Sequence, residues 1–196
     1  MITKKMLNVK ESRAIYHGLL AFALLCVFST LLLMPTLPVY AASSSASTSS
    51  INAIPPGTYS IQSDANSLYV SAELSYPSPY NGLLRARASR ISDWERFYLR
   101  YDSSSGTYSI QSAANGLYVS AELYYGGTRY GMLRARASRI SDWERFYLSY
   151  DSSSRTYSIQ SAANTLYVSA ELSNGGMLRA SASSITGWER FKLWTL

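Results

Sequence analysis

Residues 57–105 read GTYSIQSDANSLYVSAELSYPSPYNGLLRARASRISDWERFYLRYDSSS, and residues 106–154 read GTYSIQSAANGLYVSAELYYGGTRYGMLRARASRISDWERFYLSYDSSS. The two stretches align without a gap over 49 positions and agree at 39 of them. A third copy, residues 155–196, repeats TYSIQSAAN at 156–164. It is four residues shorter between Glu171 and Leu178 than the second copy is between Glu122 and Leu133. Self-similarity at such a spacing means one structural unit used three times.

In the first copy, segments 58–62, 68–73, 84–89 and 94–101 have the composition of short strands and are separated by turn residues. Period-two alternation turns Tyr59 with Ile61, Leu68 with Val70 and Ala72, Leu84 with Ala86 and Ala88, and Phe97 with Leu99 inward. Ala65-Asn66-Ser67 and Ala114-Asn115-Gly116 carry residues suited to the positive φ of a tight hairpin. Residues 102–106 and 151–154 read as joints between copies. A unit this small cannot close a core alone, so the three must share one. Residues 57–196 then hold roughly twelve strands, too few for a propeller of about four to eight four-stranded blades. The expected fold is all-β: a β-trefoil of three four-stranded repeats, 57–105, 106–154 and 155–196, with pseudo-threefold symmetry.

What precedes the repeats has a different composition. Lys4, Lys5, Lys10 and Arg13 precede an apolar run at 18–33, and Val39-Tyr40-Ala41 supplies small residues at a cleavage position. Residues 1–41 therefore read as a signal peptide and the protein as secreted; the alternative is an uncleaved leader, the one route to a membrane. Residues 42–56 form a Ser/Ala/Thr-rich linker, expected to be disordered and ending at Pro55-Pro56. Cys26 and His17 both lie in the leader, which leaves the remainder without a disulfide, a thiolate, an imidazole base or a Cys/His metal cluster. No metal and no cofactor is expected. Without the leader, 14 basic residues face 11 acidic ones and the net charge falls from +6 to +3, which argues against a nucleic-acid partner.

The run Leu68-Tyr69-Val70-Ser71-Ala72-Glu73, followed by Leu84-Arg85-Ala86, Ile91 and Trp94-Glu95-Arg96-Phe97, resembles the repeat of the fascin-like, actin-cross-linking-like β-trefoils. The second copy repeats it at 117–122, 133–135 and 143–146, the third at 166–171, 178–180 and 188–191. The resemblance implies a trefoil that binds rather than catalyses, as a carbohydrate-binding module in exported proteins or as a protein-interaction adaptor of the actin-cross-linking kind. Ricin-type lectins carry Gln-x-Trp near the end of each repeat; here that place holds Trp-Glu-Arg-Phe, so their sugar-site residues do not transfer.

Candidate residues divide by whether they repeat. Trp94, Trp143 and Trp188 recur beside a phenylalanine and are expected in the core. Glu73, Glu122, Glu171, Glu95, Glu144 and Glu189 recur in like surroundings, whereas a hydrolytic pair needs two carboxylates in different ones. They are expected to pair with arginines such as Arg85, Arg96 and Arg134, and no enzyme activity is expected. Two sets remain for a ligand. Alternation exposes Tyr69, Tyr118 and Tyr167 beside Asn66, Asn115 and Asn164, a ring and an amide that suit a shallow saccharide site. The loops between second and third strands differ most and are rich in Tyr, Gly, Asn and Ser, a recognition vocabulary; Tyr76, Tyr80, Tyr125 and Tyr130 are their candidates. The leading partner is a carbohydrate polymer or cell-surface glycan, the alternative a protein.

Overall fold

A computed structural model of the chain describes residues 53–196. The described residues form twelve strands in three sets of four. The first set is β1 (Gly57–Ser63), β2 (Tyr69–Glu73), β3 (Leu83–Ala88) and β4 (Phe97–Asp102). The second is β5 (Thr107–Ser112), β6 (Tyr118–Glu122), β7 (Met132–Ala137) and β8 (Phe146–Asp151). The third is β9 (Thr156–Ser161), β10 (Tyr167–Glu171), β11 (Met177–Ala182) and β12 (Phe191–Thr195).

Pairing runs from β1 to β4, β5, β8, β9, β12 and back to β1, antiparallel throughout, so six strands close a ring that leaves no free edge. The other six form the hairpins β2–β3, β6–β7 and β10–β11. Strands β3, β7 and β11 pair with one another in a triangle, the cap. A six-stranded ring capped by three hairpins is the β-trefoil.

The inward alternation holds: Ile61, Val70, Ala72, Leu84, Ala86, Phe97 and Leu99 belong to one buried cluster with their counterparts in the other repeats. Leu68 and Ala88, also expected inward, are only half-buried. The tryptophans depart from expectation. Phe97, Phe146 and Phe191 fill the core, while Trp94 and Trp143 lie half-buried in 3₁₀ turns and Trp188 is 40% exposed. The cause is a capping box. The Ser92 backbone N–H and hydroxyl both donate to Glu95, and Ser141 to Glu144 and Thr186 to Glu189 repeat the arrangement. The turn breaks the strand's alternation just before the phenylalanine.

The leader at 1–41 and residues 42–52 of the expected linker lie outside the described residues. The linker's last residues do not fit that description. Ile54 is 8% exposed, its N–H donates to the Tyr108 hydroxyl at 2.8 Å, and the Tyr59 hydroxyl donates to the Pro55 carbonyl. An apolar side chain next to two buried tyrosines gains more from packing than from water.

Candidate functional site

The cap is assembled from three glycines. Gly82, Gly131 and Gly176 have φ of +76°, +75° and +74°, and a Cβ on any of them would fall against the carbonyl of Ala135, Ala180 or Ala86. Those alanines in turn donate N–H to the same glycines' carbonyls at 2.7–2.8 Å, each bond linking one repeat to the next. The ring of bonds brings Leu83, Met132 and Met177 together in a small buried cluster with Tyr125 packed on it.

Three equivalent arginines tie the loops to this triangle. Arg134 donates through Nε and Nη2 to the Asn81 carbonyl, Arg179 through Nε to that of Tyr130, and Arg85 through Nη2 to that of Asn174. Each arginine thus holds the loop of a different repeat. Burial pulls the Arg134 guanidinium below its ordinary pKa, opposed by the Glu122 charge.

The acids are committed to the scaffold. Glu73 and Glu122 are fully buried and take bidentate bonds from Arg87 and Arg136, and both arginines are raised in pKa chiefly by those bonds. The partner expected from sequence, Arg85, stands two residues earlier on β3 and donates to Asn174 and Tyr76. The register shifts between Tyr69 and Val70, a bulge beside Arg87 that the second and third hairpins repeat at Tyr118 and Tyr167. In the third repeat Ser181 stands where the others have arginine, and Glu171 pairs with Arg179 at 2.7 Å. Arg96 and Arg134 are in none of the ion pairs of the described residues. Among those residues no three acids are grouped to hold a metal ion.

On the cap lies a cavity of about 250 Å³ bordered by all three variable loops. Tyr76 and Tyr80 come from the first, Thr128 and Arg129 from the second and Asn174 from the third, with Arg85 on one wall and Leu83 and Met177 beneath. The Arg85 and Arg87 guanidinium groups each lie 6.0 Å from the centroid of the Tyr76 ring. Tyr80 is 38% exposed. The third loop is four residues shorter than the second, so the loops surround the axis unequally.

The sequence candidates separate on this geometry. Tyr76 and Tyr80 line the cavity; Tyr125 stacks with Arg129 at 5.4 Å and packs behind it; Tyr130 contributes its carbonyl to Arg179. Tyr69, Tyr118 and Tyr167 are half-buried at the starts of β2, β6 and β10 and do not line it. Their expected amide partners are already engaged. Asn66 donates to the Ala86 carbonyl and accepts from Leu68 N–H, and Asn115 and Asn164 do the same with Ala135 and Leu117 and with Ala180 and Leu166. These amides fix the hairpins rather than facing a ligand, a role that Asn at a turn often takes. Sequence reasoning marked the loops that hold Thr128, Arg129 and Asn174 but singled out only tyrosines within them, and it set Arg85 on a surface for a protein partner rather than for a sugar. The one available signal was that all three variable loops occupy the same place in their repeats.

No protein-family model matches the chain, and no curated protein matches it. Solved structures do. A mosquitocidal holotoxin matches with a TM-score of 0.65 and 12% identity over 74% of this chain, which spans 18% of the toxin's length. The BEL β-trefoil matches with a TM-score of 0.60 and 12% identity over 73% of this chain and 97% of its own. SeviL, solved bound to the asialo-GM1 saccharide, matches with a TM-score of 0.56 and 14% identity over 72% of this chain and 98% of its own. At such identities the likeness is one of fold. The matches show a β-trefoil and not the fascin-like subgroup in particular.

Proposed function

We propose that the chain is an exported, non-catalytic module that binds a polysaccharide or cell-surface glycan through the cap cavity. The observation that carries this reading is the convergence of three otherwise dissimilar loops on one concave site. Tyr76 and Tyr80 offer aromatic faces there, and Arg85, Thr128 and Asn174 offer polar groups. Tyrosine beside a few fixed polar groups suits a sugar ring, apolar on one face and hydroxylated at its rim. The saccharide bound by SeviL, of the same fold, gives the reading support. The engagement of all six recurring glutamates in the scaffold speaks against hydrolysis.

A fascin-like role as a protein-interaction adaptor is the second reading. It draws on the exposed aromatics of the ring strands, Tyr98, Tyr147 and Trp194.

A glycan and polysaccharide array probed with the purified chain tests the first reading, followed by titration calorimetry on the best ligand. Tyr80→Ala is expected to weaken binding about tenfold, the effect of losing about 1.4 kcal/mol. One site per chain is expected for a short oligosaccharide. A stoichiometry of three with unchanged Tyr80→Ala binding would return the site to Tyr69, Tyr118 and Tyr167. Failure to bind any glycan would leave the adaptor reading.

A further inference from the structure

The charge of the described residues is unevenly placed. In the three cap hairpins with their loops, residues 69–88, 118–137 and 167–182, six arginines stand against three glutamates. Over the rest of residues 53–196, eight basic residues stand against eight acidic ones. The whole excess of +3 therefore lies in the cap. All three cap glutamates are spent on Arg87, Arg136 and Arg179.

Two of the remaining arginines border the cavity. Neither Arg85 nor Arg129 is in an ion pair of the described residues, and no carboxylate lines the cavity. The Arg85 guanidinium has five N–H donors. The protein engages it through Nη2 on Asn174 and, at 3.4 Å, through Nη1 on the Tyr76 hydroxyl; its Nε is buried and without a partner among the described residues, so the donors left for a ligand are on the two terminal nitrogens. Gly175 leaves room beside Nη2, since a Cβ there would sit 2.5 Å from it, and the Asn174 carbonyl accepts from Nη2 at 3.1 Å. Arg129 is solvent-exposed and rests on the Tyr125 ring. The site thus presents two guanidinium groups bordering a small concavity with no acid to neutralise them. A planar guanidinium matches the two oxygens of a carboxylate or sulfate better than any neutral sugar hydroxyl. At about 250 Å³ the cavity is below the ~300–1,000 Å³ of pockets for drug-sized ligands, so it suits a single ring unit.

We infer that the cap cavity selects an anionic sugar residue, whose oxyanion is held between Arg85 and Arg129 while Tyr80 covers the ring. The inference rests on the glycan reading and narrows it to acidic saccharides. The shared chemistry is an oxyanion on a pyranose, and carboxylate and sulfate ester are its two sources.

The test compares affinity of the full chain for polygalacturonate, its methyl ester, a sulfated galactan and the unsulfated galactan. Tighter binding of polygalacturonate than of its ester, or of the sulfated than of the unsulfated galactan, by about tenfold is expected, and the pair showing the gap identifies the source. Arg129→Gln, a change on an exposed loop, should remove most of that gap. Arg139→Gln, at an exposed position outside the cap hairpins, should leave the gap in place. Equal binding of charged and neutral polymers, or equal loss with Arg139→Gln, overturns the inference while the glycan reading stands. Absence of binding to all four polymers and to a neutral glycan array overturns both. The ester comparison needs no variant, so a misfolded mutant does not spoil the result.

Discussion

Replacing Gly131 with alanine tests how the cap is closed. Two alanine substitutions differ in one respect: Gly116 has φ of +69° with open space around it, whereas Gly131 has φ of +75° with the Ala180 carbonyl where its Cβ would go. Both variants carry the left-handed strain of a non-glycine residue, about 1 kcal/mol. Gly131→Ala must also move backbone, and it disturbs the bond from Ala180 N–H to the Gly131 carbonyl, 2.7 Å long and buried. Leaving such a pair unsatisfied costs ~1–3 kcal/mol. The expected losses are therefore about 1 kcal/mol for Gly116→Ala and about 2–4 kcal/mol for Gly131→Ala. For a chain of this size 1 kcal/mol corresponds to ~3 °C in Tm, which makes the second shift ~6–12 °C. Thermal unfolding followed by circular dichroism, with urea unfolding at 25 °C, measures both. Equal losses would refute the argument that the glycine is required by the neighbouring repeat rather than by its own turn.

Ser67 and Thr165 occupy the place of Gly116 with φ of 59° each. A β-branched residue is poorly suited to that region. Thr165→Gly should stabilise by about 0.5 kcal/mol, the relief of strain exceeding the added freedom of the unfolded chain; a lower urea midpoint would contradict this. The Asp102 carboxyl is held below its ordinary 3.8 by Ser104, Arg145 and Ser105, and that of Asp151 by Ser153, Ser154 and Arg190. A depressed folded pKa means that the unfolded state takes up protons first, so this contribution is present above pH 3.8 and is lost as pH falls toward the folded value. Asp102→Asn with Asp151→Asn should flatten the acid limb of Tm against pH below about pH 4; an unchanged acid limb would show that these joints do not couple to folding.

The repeat made the strands and their buried faces legible, because alternation is local and recurs three times. Three features escaped it for physical reasons. The tryptophans looked like core residues by their neighbours, yet the Ser92-to-Glu95 spacing, a visible capping-box pattern, interposes a turn that shifts the phase of alternation. The partner of Glu73 could not be chosen by alternation, because Arg85 and Arg87 stand two residues apart and share one face of the strand. Ile54 was read with its polar neighbours although only the fold supplies Tyr108 to pack on it. The site was half legible. Variable, tyrosine-rich loops marked where recognition could occur, but their meeting requires the closure of β3, β7 and β11, a contact between residues as far apart as Arg85 and Met177. The asparagines were misjudged because turn and ligand chemistry draw on the same amide.

The three equivalent arginines explain why a threefold scaffold presents one such cavity in place of three identical ones. Arg134 is buried under the first loop with two nitrogens on one carbonyl, which leaves it little to offer a ligand. Arg179 lost its neighbouring arginine to Ser181 and therefore serves Glu171 as well as Tyr130. Arg85, like Arg134, is relieved of its glutamate by the next arginine, but it alone of the three borders the cavity. Copies that began alike thus hold one residue in three states, and the differences come from substitutions beside the arginine rather than at it. The core tolerates no such divergence, because Phe97, Phe146 and Phe191 meet one another's surroundings in every repeat. The cap loops do tolerate it, since each is tied to the triangle through a main-chain carbonyl, a group that any side chain can supply. That is why recognition can evolve at the cap of this fold without disturbing the ring beneath it.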